Sequence, residues 1–347
     1  MRPLRLGLSF AAAAVLAALL VWAVGIWRHG RAAVPAPYVA VGRVRAVPRS
    51  ARPPTRLALV SGPPALPVAL DGLAAATADG RIWVVGGLVD GTTSTDAVAA
   101  WRPGQRSWRR MGRLPFPRHD GAAVAVRGEV WFVGGGLGSV SARQAVAFAA
   151  SGDGGLRERP LPTLSVARSD LAAATLGATA YVAGGYDGYR LATQVLALRP
   201  GGRRWRTVAR LGQGARYAAL VAVGGRLYRF GGMGANGEPL ANIWAVDPAT
   251  GKVRLVGRLP VPTRYLVAAV LDGQVFLLGG ETAAGPTAAI WRFDPVNGRV
   301  SAAGRLPSPR AYGAAVVWRG TVVVLGGEGP QGPLASVVRL RPVAGRG

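Results

Sequence analysis

A pair of glycines after an apolar stretch recurs six times and constrains the fold of this chain more than any other feature. Counted from the first glycine of each pair, the successive steps are 48, 50, 47, 48 and 47 residues. Such a period, sustained over most of a chain, is typical of repeat architectures. Glycine has no Cβ, so each pair can adopt positive φ and let a neighbouring unit approach closely. The pairs are Gly86-Gly87, Gly134-Gly135, Gly184-Gly185, Gly231-Gly232, Gly279-Gly280 and Gly326-Gly327.

The fifth unit shows the pattern inside one repeat. Apolar residues 266–270 predict a buried strand, and Asp272-Gly273 predicts a tight hairpin turn because both residue types tolerate positive φ. Residues 274–278, 289–293 and 299–303 predict three further strands, and the glycine pair ends the second strand. Four short antiparallel strands in each of six units predict an all-β fold, a six-bladed β-propeller.

The two ends of the repeat region predict how the ring closes. The last unit has material for three strands only, whereas residues 55–67 match a fourth strand and its exit. Pairing the strand at residues 56–60 with the last blade leaves no open edge between the first and last blades. The predicted propeller therefore spans residues 55–347 and is closed by an N-terminal strand.

The residues before the propeller predict a membrane anchor. A short tail, residues 1–5, precedes a stretch without a charged side chain that begins at Leu6 and ends at Trp27. At about 1.5 Å per residue, a helix of this length crosses the ~30 Å hydrocarbon core of a bilayer. We therefore predict a transmembrane helix that contacts membrane lipid, followed by a Pro/Arg-rich linker at residues 28–54. A cleaved signal peptide is the alternative, although its apolar region is usually shorter.

The basic residues around this helix bear on which side of the membrane holds the propeller. A short basic tail, here with Arg2 and Arg5, normally stays in the cytoplasm, which favours a single-pass protein with an extracytoplasmic propeller. Counting the arginines that follow the span, beginning with Arg28 and Arg31, favours the opposite orientation.

Composition excludes several kinds of site. The chain has no cysteine, which excludes disulfides, thiolate metal ligands and a cysteine nucleophile. His29 and His119 are the two histidines and do not form a metal-binding motif, so no cofactor is predicted. Lys252 is the one lysine among 42 basic residues, and the formal net charge is +26. This charge favours contact with polyanions without choosing among lipid headgroups, acidic envelope polymers and nucleic acid.

The order of strand, glycine pair, loop, aromatic strand, turn, tryptophan and Leu-Pro resembles the kelch repeat over most of the chain. The glycine pair is present in all six units, and Trp108 and Trp205 stand in the place of the fourth-strand tryptophan. The resemblance implies that the first strand of each blade lines a central channel and the fourth lies outside. It also implies that the loops joining second to third strands (2–3 loops) and fourth to first strands (4–1 loops) share one face, here called the loop face.

In five of the six units an arginine stands where the 4–1 loop enters the first strand, and in the first unit its place falls at Leu70. These arginines predict a ring of guanidinium groups around the channel mouth, suited to carboxylates or sulfates through paired hydrogen bonds. The alternative interpretation is structural: each arginine joins neighbouring blades by bonding backbone carbonyls or acids of the 2–3 loops. The five arginines are Arg118, Arg168, Arg216, Arg264 and Arg310.

Further candidate ligand-binding residues fall near the same mouth. They are Tyr186, Tyr265, Tyr312, Glu281 and Glu328. The kelch resemblance implies an alternative function here, an isomerase of sugar acids that uses carboxylates and arginines for acid–base chemistry. The sequence marks no catalytic residue, and the Cys and His ligands of kelch-type copper oxidases have no counterpart.

The sequence thus predicts a membrane-anchored, kelch-like propeller that acts as a binding or scaffolding module. The expected partner is an acidic protein segment or an envelope glycan held at the arginine-bearing mouth. Arginines on the outer strands, such as Arg109, and on the opposite face, such as Arg319, support a second alternative, a non-specific polyanion binder. No specific nucleic acid partner is expected.

Overall fold

The strands of this protein form six antiparallel sheets of four strands each, in a computed structural model that describes residues 55–344. Each sheet is one blade, and strands that follow one another in a blade pair with one another. The first strands of all six blades line a central channel of about 330 Å³. The structure therefore confirms the predicted all-β, six-bladed propeller.

Blades 1 to 3 follow one another along the chain. The strands of blade 1 are Ala74–Ala78, Arg81–Val85, Ala97–Trp101 and Arg109–Arg113. The strands of blade 2 are Ala122–Val126, Glu129–Val133, Ala145–Ala150 and Leu156–Leu161. The strands of blade 3 are Ser169–Leu176, Thr179–Tyr186, Gln194–Leu198 and Arg206–Arg210.

Blades 4 to 6 complete the ring. The strands of blade 4 are Ala219–Val223, Arg226–Phe230, Asn242–Val246 and Val253–Arg258. The strands of blade 5 are Val267–Leu271, Gln274–Leu278, Ala289–Asp294 and Arg299–Arg305. The strands of blade 6 are Ala314–Trp318, Thr321–Leu325, Val337–Ala344 and, from the start of the described chain, Thr55–Val60.

Two-stranded ribbons extend four of the 2–3 loops on the loop face. The ribbons pair Leu88–Val89 with Thr93–Ser94, Gly136–Leu137 with Val140–Ser141, Glu281–Thr282 with Gly285–Pro286, and Glu328–Gly329 with Gly332–Pro333.

The N-terminal strand closes the ring as predicted. It runs antiparallel to the third strand of blade 6, from Thr55 opposite Ala344 to Val60 opposite Arg339. Leu57 of this strand is buried in the apolar core between blades 5 and 6. The closing strand therefore contributes packing as well as backbone hydrogen bonds.

Six apolar cores lie between neighbouring blades, one at each seam of the ring. The second strands supply much of this core, because a strand covered on both faces is apolar along its whole length. Trp83, Trp131 and Phe276 of these strands are almost completely buried. Each blade thus buries its apolar surface against two neighbours, which is the physical reason for the repeat.

The glycine pairs lie where the 4–1 loop of the next blade crosses the end of a second strand. A Cβ atom on Gly86 would lie 2.2 Å from the backbone oxygen of Arg118, and the N–H of Gly87 donates to that oxygen at 2.8 Å. Both glycines have positive φ, 60° and 113°. The same contact recurs at every seam, and the last one joins Gly327 to Leu70. The pair is therefore a joint between blades, as its sequence suggested.

The strand boundaries in the fifth unit closely follow the prediction. Asp272 and Gly273 form the expected turn, with φ of 50° and 73°. The predicted tail, transmembrane helix and linker (residues 1–54) lie outside the described residues. Within residues 55–344 the structure contains no helix that is long and apolar enough to span a membrane.

Candidate functional site

Three of the five candidate arginines are buried and hold backbone atoms instead of facing the channel mouth. The Nη1 group of Arg118 donates to the carbonyl oxygens of Gly134 and Gln144, both at 3.1 Å. Burial lowers the pKa of this guanidinium. Because its backbone oxygen also accepts the Gly87 N–H, Arg118 links blade 1 to blade 2. The same bonds join Arg168 to Gly184 and Gln194, and Arg310 to Gly326 and Ser336.

Arg216 and Arg264 occupy a different position in the repeat. Each of the three buried arginines lies 16 residues before the first glycine of its blade. Arg216 and Arg264 lie one position closer to the first glycine of their blades. Ala215 and Thr263 stand at the buried position in these two blades. Adjacent residues of extended backbone point to opposite sides, so a shift of one position turns the side chain away from the buried site. This spacing is the sequence signal that separates the two sets of arginines.

Arg264 forms an ion pair with one candidate glutamate. Its Nε and Nη2 groups donate to the Glu281 carboxylate at 3.3 and 2.9 Å, and its Nη1 group donates to the Gly237 oxygen at 2.9 Å. The hydrogen bond to Glu281 raises the pKa of Arg264. The other candidate glutamate, Glu328, is exposed on a blade 6 ribbon. Burial, followed by the charge of Glu328, raises the pKa of Asp71 to about 6.

Arg216 contacts two tyrosines and a buried acid. Its guanidinium carbon lies 5.2 Å from the ring centroid of Tyr186 and 5.3 Å from that of Tyr217. Its Nη1 atom is 3.7 Å from Oδ2 of Asp170. The Tyr186 hydroxyl donates to the backbone oxygen of Gly188 at 2.6 Å, within the 2–3 loop of blade 3. Tyr186 therefore lies beside Arg216 on the loop face and not on the central axis.

One position after the place of Arg216 and Arg264, each 4–1 loop contributes one residue to a closed ring of six around the axis. In each repeat, the ring residue comes two positions after the place that the buried arginines occupy in theirs. All six ring residues have positive φ between 55° and 60°. Each N–H donates to the carbonyl oxygen of the ring residue from the preceding blade, at 2.8 to 3.1 Å. These hydrogen bonds close the channel on the loop face. The axial ring consists of Gly72, Asp120, Asp170, Tyr217, Tyr265 and Tyr312.

The three tyrosines of the axial ring pack against one another. Their ring centroids are 4.2 Å apart for Tyr217 and Tyr265, 4.7 Å for Tyr265 and Tyr312, and 5.5 Å for Tyr217 and Tyr312. Burial raises the pKa of all three phenols, that of Tyr265 to about 12. A Cβ atom on Gly72 would lie 3.2 Å from the Tyr312 hydroxyl oxygen and 2.8 Å from Oδ1 of Asp120. Glycine is therefore required where Tyr312 crosses the ring.

Asp120 and Asp170 form a buried carboxyl pair in the axial ring. Both side chains are buried, and the pKa of each carboxyl group depends on the other. Tyr217 donates to Oδ2 of Asp120 at 3.4 Å, and Tyr312 also bonds to this carboxyl group. Burial, followed by the charge of Asp170, raises the pKa of Asp120 well above its usual value. Burial likewise raises the pKa of Asp170.

The carboxyl pair and Asp71 were not among the residues predicted from sequence. The available signal was the distance of each ring residue from its glycine pair, together with the tolerance of aspartate for positive φ. Tyr265 and Tyr312, which were predicted, belong to the same ring.

His119 borders the carboxyl pair. Its Nδ1 atom is 2.8 Å from the Ser94 hydroxyl oxygen, and its Nε2 atom is 3.7 Å from Oδ2 of Asp120. Burial lowers the pKa of this imidazole. Across residues 55–344, no group of three or more histidine or acidic side chains is placed to hold a metal ion.

The channel mouth is filled by its own side chains. The cavity enclosed by the axial ring has a volume of about 100 Å³, which is the space of about three water molecules. Behind the ring, the channel wall consists of small residues such as Ala75, Ala125 and Thr175. A partner on the loop face would therefore contact the loops around the axis and not the channel itself.

Exposed apolar side chains are concentrated on the loop face. Of the eight large ones among the described residues, seven lie in 2–3 or 4–1 loops, and the eighth is Leu59 on the outer closing strand. Five belong to adjacent loops of blades 2 and 3, which contact each other where the Ser141 hydroxyl donates to the Tyr186 oxygen at 3.0 Å. Exposed apolar side chains that are clustered on neighbouring loops commonly mark an interaction site. These five, here called the apolar arc, are Phe116, Leu137, Val140, Val166 and Tyr189.

Comparison with known proteins places the repeats in a family. Residues 170–344 match a family model described as the KLHDC2/KLHL20/DRC7 Kelch-repeats domain. Kelch-like protein 25 of Xenopus tropicalis is 33% identical over 89 residues, which cover 26% of this chain and 15% of that protein. Kelch-like protein 33 of Homo sapiens is 33% identical over 112 residues, covering 31% of this chain and 21% of that protein.

A solved structure shares the fold. The structure titled "Structure of YjhT" covers 81% of this chain and 99% of its own length, with a TM-score of 0.70 and 15% sequence identity. At this identity the similarity shows the fold alone.

Proposed function

The chain belongs to the kelch-repeat β-propeller family, and from this premise we propose that it is a protein-binding module whose interface is the apolar arc. The observation that carries this proposal is the exposure of the arc. Tyr189 is 92% exposed and Val140 is 67% exposed. Large apolar and aromatic side chains that remain in water in the free protein gain most when a partner covers them.

The charges around the arc favour an acidic partner. Arg143, Arg190 and Arg210 are exposed at its edges, and none of them has an ion-pair partner within residues 55–344. The nearby Asp187 is engaged with its own loop, accepting the N–H groups of Tyr189 and Arg190. We propose an acidic protein segment that also carries apolar side chains. An envelope glycan would match the arginines but not the apolar surface.

Residues 6–27 are proposed to anchor the protein in a membrane as a single-pass helix, with the propeller on the extracytoplasmic side. The absence of charged side chains from this stretch supports the anchor, and the short basic tail before it supports the orientation. Protease treatment of intact cells tests this, since an extracytoplasmic propeller is cleaved and a cytoplasmic one is protected.

Two other functions remain as alternatives. A sugar-acid isomerase is supported by the buried Asp120–Asp170 pair, whose raised pKa values favour a protonated carboxyl group on the axis. The cavity of about 100 Å³ would require the tyrosines to move before a sugar acid could enter. A non-specific polyanion binder is supported by the net charge of +26. Its binding would fall steeply with salt and would not depend on the apolar arc.

Site-specific photo-crosslinking in the native host tests the proposed interface. A photoreactive amino acid replaces Tyr189 in the full-length chain, and in a matched control it replaces Leu59, which is also exposed but lies on the outer strand. We expect a discrete protein adduct from position 189 that is absent from position 59 and is lost when Val140→Asp is added. The same adducts at both positions, or none at position 189, would contradict the proposed interface.

A further inference from the structure

A depression of about 600 Å³ lies on the face opposite the loop face, at the seam between blades 6 and 1. It is lined by the turn between the first and second strands of each of these blades, and by the turn between the third and fourth strands of blade 1. These turns bring three guanidinium groups to one cavity. They belong to Arg81 and Arg102 of blade 1 and Arg319 of blade 6.

Two indole rings hold these turns in place. The Arg319 guanidinium lies over the Trp318 ring, 5.4 Å from its centroid, and Trp318 packs edge-on against Trp101 of blade 1 at 6.2 Å. The Trp101 Nε1–H donates to the Gln105 backbone oxygen at 3.0 Å, and the Gln105 side-chain oxygen accepts the Arg102 N–H at 2.9 Å. The aromatic pair therefore joins the two turns that carry Arg102 and Arg319 across the seam.

The positive charge of the depression is only partly neutralised. Arg81 forms an ion pair with Asp79, whose carboxylate also accepts the Trp83 Nε1–H at 3.1 Å. Arg102 and Arg319 are exposed and have no carboxylate partner within residues 55–344. Two guanidinium groups therefore remain available. A phosphate group matches them better than a carboxylate does, because it offers more acceptor oxygens and, when terminal, close to two negative charges at neutral pH.

The corresponding seam between blades 2 and 3 lacks these features. Arg127 and Arg199 occupy the same turn positions as Arg319 and Arg102. Thr179 stands in the place of Arg81, and Val126 and Leu198 replace the two tryptophans. Of these two seams, the one between blades 6 and 1 has the third arginine and the tryptophan pair, and the one between blades 2 and 3 lacks both.

We propose that this depression is a binding site for a phosphate group, with Arg102 and Arg319 as its direct partners and Arg81 as the third positive charge. The site lies on the opposite face from the apolar arc and does not depend on the proposed protein-binding function. The phosphate can be the terminal phosphate of a soluble ligand or the phosphodiester of an anionic lipid headgroup. Both present charged phosphate oxygens to the arginines, and the lipid phosphodiester carries one negative charge.

Thermal unfolding of the full-length chain in non-ionic detergent tests the proposal. In one arm, inorganic pyrophosphate is compared with sodium chloride at equal ionic strength. In the other arm, micelles containing phosphatidylglycerol are compared with micelles containing phosphatidylcholine. We expect a higher unfolding midpoint with pyrophosphate, with phosphatidylglycerol, or with both. A response in one arm alone identifies the source of the phosphate.

Matched double variants separate the site from general charge effects. Arg102→Ser with Arg319→Asn should weaken the response at least about tenfold in ligand concentration, since two charge-assisted hydrogen-bonding groups are lost. Arg127→Asn with Arg199→Ser removes the same charges from the same turns and should respond like the wild type. Asparagine tolerates the positive φ of Arg319 and Arg127, 45° and 49°.

The single variant Arg102→Ser, in an exposed turn, provides a second reading if the double variant unfolds, and it should also weaken the response. No response in either arm, or equal losses in the two double variants, would overturn the proposal.

Discussion

At the scale of single residues, the distance of an arginine from the glycine pair decides what it does. Arg118 is 2% exposed and bonds two backbone oxygens of blade 2. Arg216, one position later in its repeat, has a side chain that is 32% exposed and lies over two tyrosine rings. The same residue type therefore serves as an internal brace in one blade and as loop-face surface in another.

Alanine substitutions at these two arginines should differ in their effect on stability. Arg118→Ala is expected to lower the free energy of unfolding by about 3 kcal/mol, because two carbonyl oxygens lose a charged donor. Arg216→Ala should cost less than about 1 kcal/mol, because this partly exposed side chain gains little from its ion pair. Urea unfolding of the two full-length variants measures the difference. Equal losses would contradict the division of the arginines into two sets.

The axial ring is a second feature that operates at the residue scale. Five non-glycine residues adopt positive φ there, a conformation that costs an L-residue roughly 1–2 kcal/mol. The six ring hydrogen bonds and the contacts among the tyrosines and the carboxyl pair offset that cost. The ring is therefore a property of the closed propeller and is not favoured by any one segment alone.

At the scale of elements, the 4–1 loops form much of the contact between blades. In the loop from Leu114 to Gly121, the backbone oxygen of Arg118 accepts a hydrogen bond from blade 1 and its guanidinium donates to blade 2. Asp120 of the same loop belongs to the axial ring. Trp205 of blade 3 stabilises the 4–1 loop that leads into blade 3, since its Nε1–H donates to the Pro162 oxygen at 2.8 Å. Such loops leave little freedom near the axis, whereas the outer parts of two of them carry Phe116 and Val166 of the apolar arc.

The closing strand offers a matched test at the element scale. Leu57 and Leu59 lie two positions apart on one strand, yet Leu57 is 5% exposed and Leu59 is 60% exposed. Leu57→Ala should lower the free energy of unfolding by about 2–5 kcal/mol, because it leaves a cavity in the core between blades 5 and 6. Leu59→Ala should change it by less than about 0.5 kcal/mol. If urea unfolding shows similar effects for both, the closing strand does not pack as described.

At the scale of the whole molecule, every blade depends on two neighbours. Six cores, six glycine joints and six axial hydrogen bonds each run once around the ring. The two faces of the propeller also differ in character. The loop face is closed on its axis and carries apolar surface, while the opposite face carries the arginine depression at the seam between blades 6 and 1.

Buried acids make the stability of the propeller depend on pH. Folding raises the pKa of Asp71 from 3.8 to about 6, so the folded state holds this proton more tightly than the unfolded state. The free energy of unfolding should therefore fall as pH rises between about 4 and 6. The carboxyl pair of Asp120 and Asp170 acts in the same direction.

Unfolding midpoints of full-length variants across this pH range measure the contribution of Asp71. Asp71→Asn should make the decline shallower, because the titrating group is gone. Glu328→Gln should have a smaller effect, since burial is the larger cause of the shift and Glu328 the smaller. A decline in Asp71→Asn as steep as that of the wild type would contradict this assignment.

Much of the architecture followed from local patterns in the sequence. The spacing of the glycine pairs predicted six blades, and the Asp272-Gly273 turn predicted a hairpin within the fifth. The unmatched strand at residues 56–60 predicted the closure with blade 6. These features depend on backbone conformation and on alternation along short segments, which adjacent residues specify by themselves.

The site depended instead on which residues the six blades bring together. Sequence placed five arginines in one ring, but a shift of one position sends Arg118 into a seam and leaves Arg216 at the surface. Asp120 and Asp170 belong to successive repeats and meet only because the closed ring places neighbouring 4–1 loops side by side on the axis. By itself the sequence determined the number, order and closure of the blades. Which side chains are buried, paired or exposed was decided by tertiary structure, because these properties arise from contacts between blades.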